Sequence, residues 1–159
     1  MNISATLNCQ NIIKKRLNDN KPVYNFGLGA NPIKQPEFLI NKIKEYAPCK
    51  NYTSSEGVSE LNDILLNIYS KNNYANKVLV GNGLKELIFV IQSAFKGKIF
   101  HITPSWISYK EQIVLLDKES NLIEIETNIE NNYRIDLDLL EQKLEENKEY
   151  DKLFIFNNP

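Results

Sequence analysis

Between Lys77 and Phe156 the chain switches repeatedly between two hydrophobic periods, and this switching constrains the fold more than any other feature. Val78–Val80, Ile99–Ile102, Leu122–Ile125 and Leu153–Phe156 are short runs rich in β-branched and aromatic residues, the pattern of buried strands. Between them, Leu84, Leu87, Ile88, Ile91 and Phe95 recur at helical spacing, and Ile107 to Leu116 reads as a helix. Leu137, Leu140 and Leu144 follow Asp136, a residue type suited to an N-cap. Strands alternating with helices predict an α/β fold, a mostly parallel sheet with helices on both faces. Ahead of this region, Pro36 suits the first turn of a helix running to about Tyr46, and Leu61, Ile64, Leu65 and Ile68 mark another after Gly57. Asn72-Asn73 breaks that pattern. The stretch up to about Asp19 reads as an arm or a short helix.

Two segments of the alternating region carry chemistry. Gly81-Asn82-Gly83-Leu84-Lys85 lies between a predicted strand and the start of a predicted helix. Such a turn aims free backbone N–H groups and the positive end of the helix dipole at one spot, where a phosphate is well held. Thr103-Pro104-Ser105-Trp106 puts the chain's single Trp just past a strand end, the edge at which open α/β sheets bind ligands. A phosphate cradle and a stacking ring together suggest a phosphorylated aromatic cofactor.

These segments resemble the class I/II aminotransferases, the pyridoxal-phosphate enzymes of fold type I. Other matching stretches occur in the family's order. Asn25-Phe26-Gly27-Leu28-Gly29-Ala30 is similar to the glycine segment of the substrate pocket. Tyr52, Gly57 and Glu60-Leu61 match a further motif, with Asn62 where the family usually has Arg. Asn132-Tyr133-Arg134-Ile135-Asp136 and Leu153-Phe154-Ile155-Phe156-Asn157-Asn158-Pro159 follow. The resemblance implies an N-terminal arm and small-domain segment over residues 1–50, and a partial cofactor-binding large domain over 51–159 that is truncated at its C-terminus. It implies a transaminase that moves an amino group between an amino acid and a 2-oxo acid, with pyridoxal 5'-phosphate as cofactor.

The resemblance also assigns roles. Gly83, Leu84 and Lys85 would hold the cofactor phosphate through backbone N–H groups, and Trp106 would stack on its ring. Tyr52 would reach the phosphate in a neighbouring subunit, which implies a homodimer or a complementing C-terminal polypeptide. Gly29 would let the backbone approach the substrate carboxylate. The Schiff-base lysine, the partner of the pyridine nitrogen and the substrate-binding Arg belong to later family segments. No catalytic residue is therefore assigned, and the chain by itself is expected to be inactive. Each residue also has an ordinary structural reading: a strand-to-helix turn, a core Trp, a loop Tyr, a turn glycine. A non-catalytic or split-enzyme half that binds a partner chain, and an unrelated nucleotide-binding α/β domain, are the alternatives. The second lacks the Gly-x-Gly-x-x-Gly spacing.

Bulk properties narrow the class. With 42% apolar and 25% charged residues and a net charge of -1, nothing points to nucleic acid or a membrane surface. No signal-peptide pattern and no membrane-spanning run is present. Cys9 and Cys49 fit neither a disulfide framework nor a zinc site, which suggests reduced thiols in a cytoplasmic protein. His101 is the only histidine. It supports no metal cluster and no Ser-His-Asp arrangement, and it reads as structural. Lys85, Lys110 and Lys118 are not read as substitutes for the missing Schiff-base lysine, which needs a depressed pKa and a fixed position at the cofactor's aldehyde carbon.

Overall fold

The computed structural model describes residues 5–26, 29, 31–70 and 77–157. The chain divides into two compact units, Met1–Asn51 and Tyr52–Pro159. The first contains α1 (Ala5–Asn18) and α2 (Glu37–Tyr46). The predicted arm or short helix is thus a helix of 14 residues. Pro36 stands at the N-cap of α2, where its missing N–H costs no hydrogen bond. Leu39, Ile43 and Tyr46 remain exposed.

The second unit carries α3 (Ser59–Tyr69), α4 (Leu84–Ala94), β1 (Lys98–Thr103), α5 (Ser108–Leu115), β2 (Leu122–Glu126), α6 (Leu137–Glu146) and β3 (Lys152–Ile155). The strands form a parallel sheet in the order β2-β1-β3. Strand alternation puts Phe100 and Ile102 on one face and Ile99 and His101 on the other. In register with them, Ile123 and Ile125 pair with Phe100 and Ile102, and Phe154 pairs with Phe100. The rings of Phe100 and Phe154 stack with centroids 5.0 Å apart. Leu140 and Leu144 of α6 cover this face together with Ile135. On the other face, Ile113 of α5 is fully buried and α4 packs against α5. The expected architecture, helices on both faces of a parallel sheet, is the observed one.

Side-chain caps and a close approach fix the ends of these elements. Asp136 accepts from the Leu139 N–H at 3.0 Å, the predicted N-cap of α6. Lys118 Nζ donates to the carbonyls of Gln92, Ser93 and Phe95 at 2.7, 2.6 and 2.9 Å. A cation on the last carbonyls of α4 meets the negative end of the helix dipole. At Gly97 a Cβ would collide with the backbone carbonyl of Asp151. Lys98 N donates to that same carbonyl at 2.9 Å, so glycine is what lets β1 start beside β3.

One predicted strand is absent. Val78–Val80 pairs with no strand among the described residues. Both sides of β1 are taken by β2 and β3, so a further strand can join only at an outer edge. The predicted break at Asn72-Asn73 lies outside the described residues.

Candidate functional site

Gly83 and Trp106 lie far apart in sequence, and packing of α4 on α5 brings their segments together. Gln112 Nε2 on α5 donates to the Lys85 carbonyl in the first turn of α4 at 2.9 Å. Gln92 Nε2 on α4 donates to the Tyr109 carbonyl at 3.3 Å. Both glutamines are buried, so these bonds count for more than surface ones. Lys85 Nζ then stands 5.1 Å from the centre of the Trp106 ring. The Trp106 ring meets Tyr109 edge-on at 5.4 Å and keeps 41% of its surface exposed.

The turn before α4 has the features of an anion cradle. Gly83 O accepts from Glu86 N and Leu87 N at 3.1 and 3.3 Å, starting the helix. The N–H groups of Leu84 and Lys85 have no acceptor among the described residues. Gly83 itself has φ 171 and ψ 156, extended backbone open to any residue. A Cβ there would meet nothing within 4 Å. The fold therefore gives no internal reason for glycine at this position, whereas an anion approaching the backbone does. These residues fit the phosphate and ring of pyridoxal phosphate.

Tyr52 is fully exposed at the start of the second unit. The turn that follows it needs a glycine: Gly57 has φ 93, and Gly57 N donates to Ser54 O at 3.0 Å. Asn62, where the family usually has Arg, instead donates through Nδ2 to the Glu56 carbonyl at 2.7 Å and steadies that turn. Gly29 lies in the first unit, is exposed, and has nothing within 4 Å of a built Cβ. The structure brings the Gly83–Lys85 turn to Trp106 through the Lys85 side chain; Tyr52 stands exposed in the same unit, and Gly29 belongs to the first unit.

Sequence reasoning missed the surroundings of His101. Its Nε2 lies 2.5 Å from Ser105 Oγ, and its Nδ1 is 3.9 Å from Glu124 Oε1. Parallel pairing sets Glu124 of β2 opposite His101, but at 3.9 Å from Nδ1 its carboxylate makes no hydrogen bond there. Burial lowers the His101 pKa from 6.5, Glu124 raises it, and Lys110 lowers it. Strand register, which the sequence does not display, brings Glu124 to His101, whereas Ser105 lies only four residues along the chain. Tyr109 was also overlooked; its hydroxyl donates to Asn157 Oδ1 at 3.5 Å, joining α5 to the end of β3.

Among the described residues no group of three or more His, Cys, Asp or Glu side chains is placed to hold a metal. No helix among them is long and apolar enough to cross a membrane.

Comparison with known proteins identifies the family and the fold. Residues 21–159 match the family described as aminotransferase class I and II. The aspartate aminotransferase of Thermotoga maritima superposes with a TM-score of 0.71 at 20% identity, covering 89% of this chain and 40% of that one. That of Rhizobium meliloti gives 0.72 at 20% identity over 89% and 37%. The aromatic aminotransferase of Pyrococcus horikoshii gives 0.61 at 21% identity over 82% and 37%. The chain thus spans about 40% of the length of the first of these structures. No curated protein matches it in sequence. On the family match over residues 21–159, the chain belongs to the class I and II aminotransferases.

Proposed function

We propose that this chain supplies the phosphate cradle and stacking ring of a pyridoxal-phosphate-dependent aminotransferase acting on an amino acid and a 2-oxo acid. The observation that carries the reading is the meeting of the Gly83–Lys85 turn with Trp106, held by Gln112 and Gln92. When bound, pyridoxal phosphate supplies the electron sink for chemistry at the amino acid's α-carbon. The N–H groups of Leu84 and Lys85 bind the dianion at the positive end of α4. Trp106 fixes the ring plane, a contact of about 0.5–1.5 kcal/mol beyond burial for aromatic pairs. Full exposure of Tyr52 supports its reaching a second subunit or a complementing polypeptide. Gly29 is assigned to the substrate carboxylate on the family resemblance. The free thiols Cys9 and Cys49 support a reducing, cytoplasmic setting.

Fluorescence tests the reading, because the chain has a single Trp. Pyridoxal phosphate should quench Trp106 saturably, and inorganic phosphate should compete. Gly83→Ala should weaken that binding and leave the melting temperature unchanged, since its Cβ meets nothing in the fold. Quenching that never saturates, or that ignores phosphate, means that no such pocket forms.

A further inference from the structure

A polar cluster lies behind Trp106 and makes none of the proposed cofactor contacts. His101, in the middle of β1, is 2% exposed. Burying an imidazole inside a sheet face costs free energy unless its polar atoms find partners. One atom does: Nε2 meets Ser105 Oγ at 2.5 Å. Ser105 directly precedes Trp106. The other ring nitrogen faces the Glu124 carboxylate at 3.9 Å, and the second Glu124 oxygen holds Lys110 Nζ at 2.5 Å. Tyr109 touches both rings edge-on, 6.0 Å from His101 and 5.4 Å from Trp106.

We propose that His101 is a positioning residue for Trp106: by hydrogen-bonding the Ser105 hydroxyl it fixes the turn that carries the ring. This inference rests on the reading of Trp106 as the stacking ring. The Glu124 carboxylate beside Nδ1 favours the tautomer protonated there, so Nε2 accepts from the Ser105 hydroxyl. The carboxylate is too far from Nδ1 to hydrogen-bond, so Ser105 is held in place without being activated as a nucleophile. Glu124, Lys110 and Tyr109 are the titratable groups that face the imidazole. Protonation of Nε2 at acid pH removes its acceptor lone pair, and the Ser105 hydroxyl then accepts from Nε2–H, so the bond reverses direction.

The test uses the 159-residue chain without cofactor. His101→Leu and Ser105→Ala should each increase acrylamide quenching of Trp106 and lower its anisotropy. Loss of one hydrogen bond raises the population of the displaced turn about fivefold. His101→Gln, which presents an amide near the position of Nε2, should restore both readings. Trp106 emission should show an acid transition in the wild type that His101→Leu abolishes. Wild-type quenching and anisotropy in Ser105→Ala, a half-buried site at which folding is not at risk, would overturn the proposal. A merely structural histidine would lower the melting temperature when replaced and leave Trp106 unmoved. If Trp106 responds as expected while phosphate-competed binding fails, the cofactor reading falls and the positioning role stands. The reverse pattern removes only the positioning role.

Discussion

Lys85 Nζ stands 5.1 Å from the centre of the Trp106 ring, so a residue in the first turn of α4 lays its side-chain cation on the indole face. A cation over an indole at an exposed site is worth about 0.5–1 kcal/mol. On the proposed function, a planar ring stacking on that face would displace the ammonium, and a dianion at the Gly83 turn would receive it. Lys85→Met should therefore weaken pyridoxal phosphate binding by about fivefold, one lost charge contact being worth about 1 kcal/mol. It should also flatten the salt dependence of binding, and titration of Trp106 emission at two ionic strengths measures both effects.

Lys118 caps α4 and Lys110 holds Glu124, while Lys85 lies over the Trp106 ring. A reactive amine needs a depressed pKa and a fixed position at the cofactor's aldehyde. Borohydride reduction of the chain mixed with pyridoxal phosphate should give only scattered, low labelling on peptide mapping. A single stoichiometric adduct on one lysine contradicts this expectation.

Lys118→Met should destabilise the second unit by about 1–3 kcal/mol, because three carbonyls at the end of α4 lose a charged donor. Asp136→Ala removes the α6 cap and should cost about 1 kcal/mol. The sites share no partner, so the double variant should show the sum in urea unfolding.

His101 makes stability depend on pH. Burial lowers its pKa in the folded state below the ordinary 6.5. The unfolded chain therefore binds the proton more readily, and stability rises with pH in that range. The contribution is complete above the unfolded value and is lost as pH falls from there through the folded value. Denaturation followed from neutral to mildly acid pH should show this loss, and His101→Leu should remove that part of the slope.

β3 has β1 on one side and no partner on the other among the described residues, with Phe154 and Phe156 exposed beside it. An open edge with apolar neighbours is a template for another strand. Sedimentation at rising concentration should show self-association. A stable monomer throughout argues against an active edge.

Hydrophobic period and residue type determined the element order: among the described residues, five of the six α-helices, α2 to α6, and all three strands lie where the pattern predicted them. Local rules sufficed there, because a cap such as Asp136 and a turn such as that at Gly57 are set within a few residues. The first helix remained ambiguous, since its apolar positions are too few to separate arm from helix. Val78–Val80 misled because a strand needs a neighbour, and sequence pattern reports apolar spacing without reporting which edge is free. Gly83 and Trp106 were legible as separate candidates. The meeting of their segments, and that of His101 with Glu124, came only from the tertiary structure. Contacts between α4 and α5 and the parallel register of β1 with β2 are long-range, so burial and strand pairing decided what one-dimensional spacing does not encode.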